Sequence, residues 1–255
     1  MYKKRSYRRK APVRKYRKRV YKKSSFVKRV KKIIHSQMEN KCSSGYAANQ
    51  TIAYAGSVTD PTRLILTPAI TQGAGVNQRI GNMVRITKAT VRGYVNLKPY
   101  NSLSNPQNAP TYVKMWLCRR QTTNLTISSA PVTTDYANFF QQGNSVLPFQ
   151  SNMLDMLLFP NKDYWNVFAT KTFQLSNLIS SNTLMPSSSS VSRYFQFDLT
   201  KHLGLLKFND NNASYLPTNK ELFLVFQIVP ADGSTLAVLD AAEYHYGVEY
   251  QFEDA

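Results

Sequence analysis

The sequence predicts an all-β fold, a single eight-stranded jelly-roll sandwich preceded by a disordered basic N-terminal arm. Three observations lead there. About eight short stretches read as strands, and 83–97, 111–120, 193–199 and 243–254 alternate with the period of two that a half-buried strand requires. Long connections, not tight hairpins, separate them, which favours two packed sheets over a barrel of short hairpins. The charge is also divided: the first 32 residues carry 17 Lys and Arg and no acidic residue, and the remaining 223 carry 16 Lys and Arg against 14 Asp and Glu. The arm therefore holds +17 of the net +19, and everything after it about +2 (16 − 14).

KKRSYRRKAPVRKYRKRVYKK, over 3–23, has no apolar period, and Pro12 interrupts any helix. Its like charges repel, so the free segment is expected to be disordered. Clustered cations neutralise phosphates by releasing counterions, and tyrosine rings stack on unpaired bases. The candidate nucleic-acid-binding residues are accordingly Lys3, Lys4, Arg5, Tyr7, Arg8, Arg9, Lys10, Arg14, Lys15, Tyr16, Arg17, Lys18, Arg19, Tyr21, Lys22, Lys23, Lys28, Arg29, Lys31 and Lys32. A nuclear-import signal demands the same composition, and an idle solvated tail is the plain alternative. Within 25–38, Phe26, Val27, Val30, Ile33, Ile34 and Met38 recur at helical spacing, with Ser24 or Ser25 available as N-cap. That predicts a short amphipathic helix docking beneath the body; a membrane-surface or calmodulin-type helix has the same pattern. Residues 1–40 are assigned to the arm and 41–255 to the jelly-roll domain.

The strands follow in order. Weak candidates occupy 50–57 and 63–67. In 83–97, Ala89, Val91, Val95 and Leu97 share one face and Lys88, Thr90, Arg92 and Asn96 the other. Val84 and Ile86 sit on the opposite parity, so a bulge is expected near Thr87. Segment 111–120 places Val113, Met115 and Leu117 on one side, and 164–175 holds one or two further strands. Segment 193–199 aligns Phe195, Phe197 and Leu199. ELFLVFQIV, at 221–229, is apolar on both parities, as a strand covered on two sides should be. The last, 243–254, sets Tyr244, Tyr246, Val248, Tyr250 and Phe252 against Glu243, His245, Glu249, Gln251 and Glu253. Phe195, Phe197, Leu222, Leu224, Phe226 and Ile228 are the expected core. Short helices are expected near 135–142 and 151–158, the second started by Ser151 and stopped by Pro160. The connections 99–110, 121–163 and 209–219 are expected at subunit contacts or on the outer surface.

Chemistry that would mark an enzyme is sparse. His35, His202 and His245 lie far apart, and no His-Glu-x-x-His, Cys-x-x-Cys or Gly-x-Ser-x-Gly occurs. GAGVNQRIG, at 73–81, lacks the Gly-Lys-Ser/Thr ending of a phosphate loop. Asp155, Asp163 and Asp198 have no spacing that requires a metal, and no catalytic residue, metal or cofactor is expected. Cys42 and Cys118 form no disulfide framework, Cys118 being read as a core or interface residue. No apolar run nears the roughly 20 residues of a membrane-spanning helix, and basic residues follow Met1 where a signal peptide would be apolar.

Arg79-Ile80-Gly81-Asn82, followed by Val84 and Ile86 at a strand opening, resembles a motif of the circovirus-like group, viruses with circular single-stranded DNA that encode a replication initiator. The run Lys207-Phe208-Asn209-Asp210 through Pro217-Thr218-Asn219, the strand 221–229 and the tyrosine-rich last strand are similar to that group as well. The resemblance implies a capsid protein, with 41–255 as the shell domain and a homo-oligomeric icosahedral shell of about 60 copies. It implies a single-stranded DNA genome as partner, an arm that also engages a nuclear import receptor, and residence in the virion and, during assembly, the host nucleus. It leaves a host-cell attachment receptor unidentified. Two alternatives stay open: a satellite-type RNA virus coat protein, and a cellular nucleic-acid-binding protein, ribosomal or chromatin-like, with a basic tail.

Overall fold

Side-chain alternation is realised almost strand for strand in the computed structural model, which describes residues 29–30, 33, 40–52, 61–98, 110–121, 136–150, 152–176, 192–209, 215–231 and 242–254. Among them run β1 (Lys41–Ile52), β2 (Thr62–Ile65), β3 (Met83–Leu97), β4 (Thr111–Arg120), β5 (Phe140–Gln142) and β6 (Ser145–Leu147). Helix α1 (Met153–Leu157) and β7 (Phe159–Pro160) lead into β8 (Trp165–Leu175) and β9 (Ser192–Asp198). Helix α2 (Thr200–Leu203), β10 (Leu205–Lys207), β11 (Phe223–Pro230) and β12 (Ala242–Asp254) complete the order. The chain divides into two units, Met1–Met38 and Glu39–Ala255, and all the named elements lie in the second.

Two sheets form the sandwich, and a small third one, β6-β5-β7, stands outside it. One runs β1-β12-β3, with β9 and β10 both along the far side of β3; the other runs β2-β11-β4-β8. If β9 and β10 count as one strand interrupted by α2, eight strands remain. They pair antiparallel, first with last (β1·β12), then β2·β11, β3·β9/β10 and β4·β8. That is one long hairpin rolled over on itself, the jelly-roll connection.

The core lies between the sheets. Val91, Val95, Phe195, Leu224, Phe226 and Phe252 are fully buried, and the other expected core residues, Phe197, Leu222 and Ile228, are at most 5 % exposed. Removing each such side chain from water contributes roughly 1.5–3 kcal/mol. Phe226 is central: its ring stacks on Tyr244 at 4.5 Å and meets Phe195 edge-on at 6.2 Å.

The phase slip in 83–97 is a bulge. Gln251 pairs with Lys88 and Phe252 with Ile86, leaving Thr87 as the extra residue, whose hydroxyl donates to the Gln251 carbonyl at 3.0 Å. Val84, Ile86, Ala89 and Val91 therefore all reach the core. Gly93 faces inward, where a Cβ would overlap the His245 carbonyl oxygen and lie 2.7 Å from Phe195 Cζ.

The structure departs from the sequence reading in several places. The first strand begins at Lys41, well ahead of the weak candidate over 50–57, of which 50–52 close the strand and 53–57 lie outside the described residues; KCSSGYAANQ pairs along β12 without an apolar stripe of its own. Segment 164–175 is one strand, with its phase broken at Phe168 between the Cys118–Val167 and Leu117–Ala169 pairs. The helix expected over 135–142 gives way to β5 from Phe140 onward, since Phe140–Gln142 pairs with Ser145–Leu147. That hairpin is tight, its two-residue loop opening on Gly143 at φ +58°, where a type II′ turn puts glycine. Helix α1 is capped by Asn152, not Ser151: the Asn152 side chain accepts from Leu154 N at 2.9 Å. It ends before Leu158, ahead of Pro160.

Connection 121–163 is also more than a surface loop. Its Tyr136, Phe139, Phe140 and Phe149 bury themselves against Trp116, Cys118, Trp165, Phe223 and Val225 as a second core on the far side of the β2-β11-β4-β8 sheet. This explains why all eight residues of β11 are buried. Burial, then the nearby Glu221 carboxylate, pushes the Cys118 thiol far above its ordinary range. Of the expected helix over 25–38, Arg29, Val30 and Ile33 are helical, and the rest of that segment lies outside the described residues.

Candidate nucleic-acid interface

Of the basic and tyrosine residues assigned to nucleic acid, Arg29 is helical and exposed. Lys3, Lys4, Arg5, Tyr7, Arg8, Arg9, Lys10, Arg14, Lys15, Tyr16, Arg17, Lys18, Arg19, Tyr21, Lys22, Lys23, Lys28, Lys31 and Lys32 lie outside the described residues. The folded domain takes over at Lys41, and its root is well defined. Lys41 has a fully buried side chain whose Nζ donates to Asp254 Oδ2 at 2.8 Å and to the Gln78 carbonyl at 2.9 Å. Asp254 Oδ1 accepts from Ile80 N at 3.1 Å, so one carboxylate ties the start of β1 to the 67–82 loop and the end of β12.

The short motifs meet beside this root. Arg79 is fully buried; its guanidinium donates to the Gly81 carbonyl at 2.8 Å and to Asn82 Oδ1 at 3.0 Å, and lies 4.6 Å over the Phe208 ring. Phe208 N donates to the Asn82 carbonyl at 2.8 Å. Thr218 N donates to the Lys207 carbonyl, and Asn219 brackets β10 by accepting from Lys207 N and donating to the Leu205 carbonyl. Segments 79–82, 207–208 and 218–219 thus form one structural knot, which a fork-shaped cation can satisfy and an ammonium cannot. In the glycine run, Gly75 N donates to Gln78 Oε1 and Gly73 N to the Arg79 carbonyl. Those two amides serve the turn's own closure.

The sheet β1-β12-β3-β9 has a second face, turned away from the core, that the sequence reading did not single out. Registered pairs align its side chains in rows. Tyr46 lies opposite Gly247, Gly247 opposite Arg92, and Arg92 opposite Gln196. In the next row His245 is opposite Tyr94 and Tyr94 opposite Tyr194, the two tyrosine rings 5.3 Å apart. Tyr46 is 89 % exposed, Tyr94 51 % and Tyr194 47 %. Part of this face was visible in the polar parity of 83–97; the β1 contribution was hidden with the strand.

The acidic residues noted in the sequence lie in separate settings. Buried Asp155 accepts from Gln150 N and from the Gln227 amide, beneath Lys114, whose pKa burial lowers and Asp155 partly restores. Asp163 sits in the turn that Asn161 closes. Asp198 accepts from Thr200 N at 2.9 Å, and the Thr200 hydrogen bonds hold its carboxyl below the ordinary value. Burial pushes Tyr244 up to about 12 and Tyr250 higher still, with Tyr246 adding to both.

No protein-family model matches the chain, and no curated protein does. A chain in the three-dimensional structure of Cocksfoot mottle virus is similar over 85 % of this chain and 94 % of that one, at 12 % identity and a TM-score of 0.37.

Proposed function

We propose that this chain is a viral capsid protein that assembles into a small icosahedral shell of about 60 copies and packages circular single-stranded DNA through its basic arm. The observation that carries this reading is the union, in one chain, of +17 charge within 32 residues and an eight-stranded jelly roll entered at β1. The first supplies a polyanion-neutralising tool; the second is an architecture that viral capsid domains use. About 60 copies would offset roughly a thousand phosphates, one per Lys or Arg, which suits a genome of about one to two thousand nucleotides. The basic clusters also serve to engage a nuclear import receptor, which places assembly in the host nucleus and the product in the virion. The role is structural, not enzymatic.

Particle sizing of the purified full chain with nuclease protection tests it. Shell-sized particles whose contents resist nuclease, and yield DNase-sensitive strands once opened, are expected. RNase-sensitive contents favour the satellite-type RNA coat reading. A stable monomer or dimer sinks the capsid reading and favours a cellular nucleic-acid-binding protein. A variant lacking residues 1–32 is expected to fold yet retain no nucleic acid. Unchanged affinity and salt slope for single-stranded DNA would refute the arm's role.

A further inference from the structure

We infer that the outward face of the β1-β12-β3-β9 sheet is a second site for single-stranded nucleic acid, where an unpaired base seats over Gly247 between Tyr46 and Arg92. This rests on the packaging reading and adds to the arm a site on the folded domain.

Geometry carries the inference. Tyr46 and Arg92 flank Gly247 in one registered row, and a Cβ built on Gly247 meets nothing within 4 Å. The row thus has a gap in the middle, spanned by two strand spacings, roughly 10 Å from backbone to backbone. That is wide enough for one planar base with the glycine as floor. The Tyr46 ring is almost wholly in water, at 89 % exposure, although an aromatic ring gains most when covered. Tyr94 and Tyr194 continue the platform one row on, and Tyr194 OH donates to Gln196 Oε1 at 2.7 Å, fixing both side chains on the surface. Exposed tyrosines on a four-stranded sheet are a known means of stacking bases without reading sequence.

Charged side chains of both signs line this face. Lys88 and Arg92 are exposed on this face and make no ion pair or side-chain hydrogen bond with another described residue. The face also carries acids, but each has a neighbour. Glu249 accepts from Gln251 at 2.8 Å, Glu243 lies 3.4 Å from His245, and Asp198 accepts from Thr200 N. Arg92 at the gap and Lys88 further along β3 are the cations on this face that a phosphate chain can reach.

The test separates this face from the arm by salt. Arm binding is counterion release and fades steeply with ionic strength, whereas stacking persists. The probe is fluorescein-labelled oligo(dT), titrated against the full chain at low salt and at high salt. Two variants report on the gap: Tyr46→Ala removes one wall, and Gly247→Leu fills the floor at a position with open space around it. Both are expected to leave the melting temperature unchanged and to weaken high-salt binding about ten-fold, as loss of one stacked base does. Photo-crosslinking of 5-iodouracil-substituted oligo(dT) is expected to label Tyr46 or Tyr94. The site is overturned if both folded variants bind as the parent does at high salt, or if every crosslink maps to residues 1–32. It is equally overturned if the variants bind normally but no longer form particles, since the face then joins copies of the chain. If one variant fails to fold, the other decides. Loss of low-salt binding on removing residues 1–32 tests the arm alone, so the two readings can fail separately.

Discussion

Lys41 Nζ lies 2.8 Å from Asp254 Oδ2, joining the first residue of β1 to the last of β12. The lysine side chain is fully buried and the carboxylate one-quarter exposed. Asp254→Asn is expected to leave that ammonium poorly compensated and to cost roughly 1–3 kcal/mol, discounted from a fully buried pair because water reaches the carboxylate. Urea unfolding of the variant measures it, and an unchanged midpoint would show the pair to be idle.

Phe226→Ala removes a ring packed against Tyr244 and Phe195 in the middle of the core. The expected loss is roughly 3–5 kcal/mol. For a domain of this size that lowers the melting temperature by about 6–20 °C. Intact particles melting at the parent temperature would contradict it.

Gly93→Ala adds one methyl group, yet it is expected to destabilise the domain by about 1–3 kcal/mol, because the Cβ meets backbone on one side and Phe195 on the other. Gly247→Ala, on the opposite face, is the control and is expected to melt like the parent. Equal melting of the two variants would refute the packing argument.

The 209–219 connection divides into two parts. Tyr215 accepts from Ile70 N through its carbonyl, and Thr218 and Asn219 fasten β10. Asn219→Ala is expected to cost about 1 kcal/mol, near the net worth of an exposed hydrogen bond. Replacing 210–214 with a Gly-Ser run of equal length is expected to spare the fold. Melting beside particle sizing distinguishes folding from assembly defects.

His202 supplies a pH dependence. Its ring stacks on Phe168 at 4.1 Å, and burial lowers its pKa below 6.5; Asp198 opposes this, while Arg119 and Lys201 add to it. The unfolded chain therefore takes up the proton first, so stability is full above about pH 6.5 and falls as pH drops through that range. His202→Phe keeps the stack and has no proton to gain. Its melting temperature is expected to vary less between pH 7 and 5 than the parent's, and equal slopes would remove His202 from the account.

The sandwich was legible because its strands bury one parity each. Val84 and Ile86 against Ala89 and Val91 announced even the bulge at Thr87, since only an extra residue lets both sets face inward. The doubly apolar β11 announced cover on two sides but not what covers it. Tyr136, Phe139, Phe140 and Phe149 sit in a connection with no period, so nothing local ties them to Trp116 or Trp165. β1 escaped for the opposite reason: its pairing is satisfied through the backbone of β12, and its side chains are small, polar or exposed. The sites divide likewise. A run of cations declares itself by composition, whereas a row such as Tyr46, Gly247 and Arg92 is made only when strands distant in sequence come into register.

The aromatic cover laid by 136–149 over one sheet has a counterpart in the bareness of the other among the described residues. Within those residues the domain is a tile glazed on one side. A tile with two alike sides can be laid either way up, and a mosaic of such tiles has no reason to close. In the shell proposed above, one whose sides differ would have a single cheap orientation among its neighbours, so every copy would turn the same way and curvature would accumulate in one sense. The connection that looked like ornament is what gives the tile a front and a back.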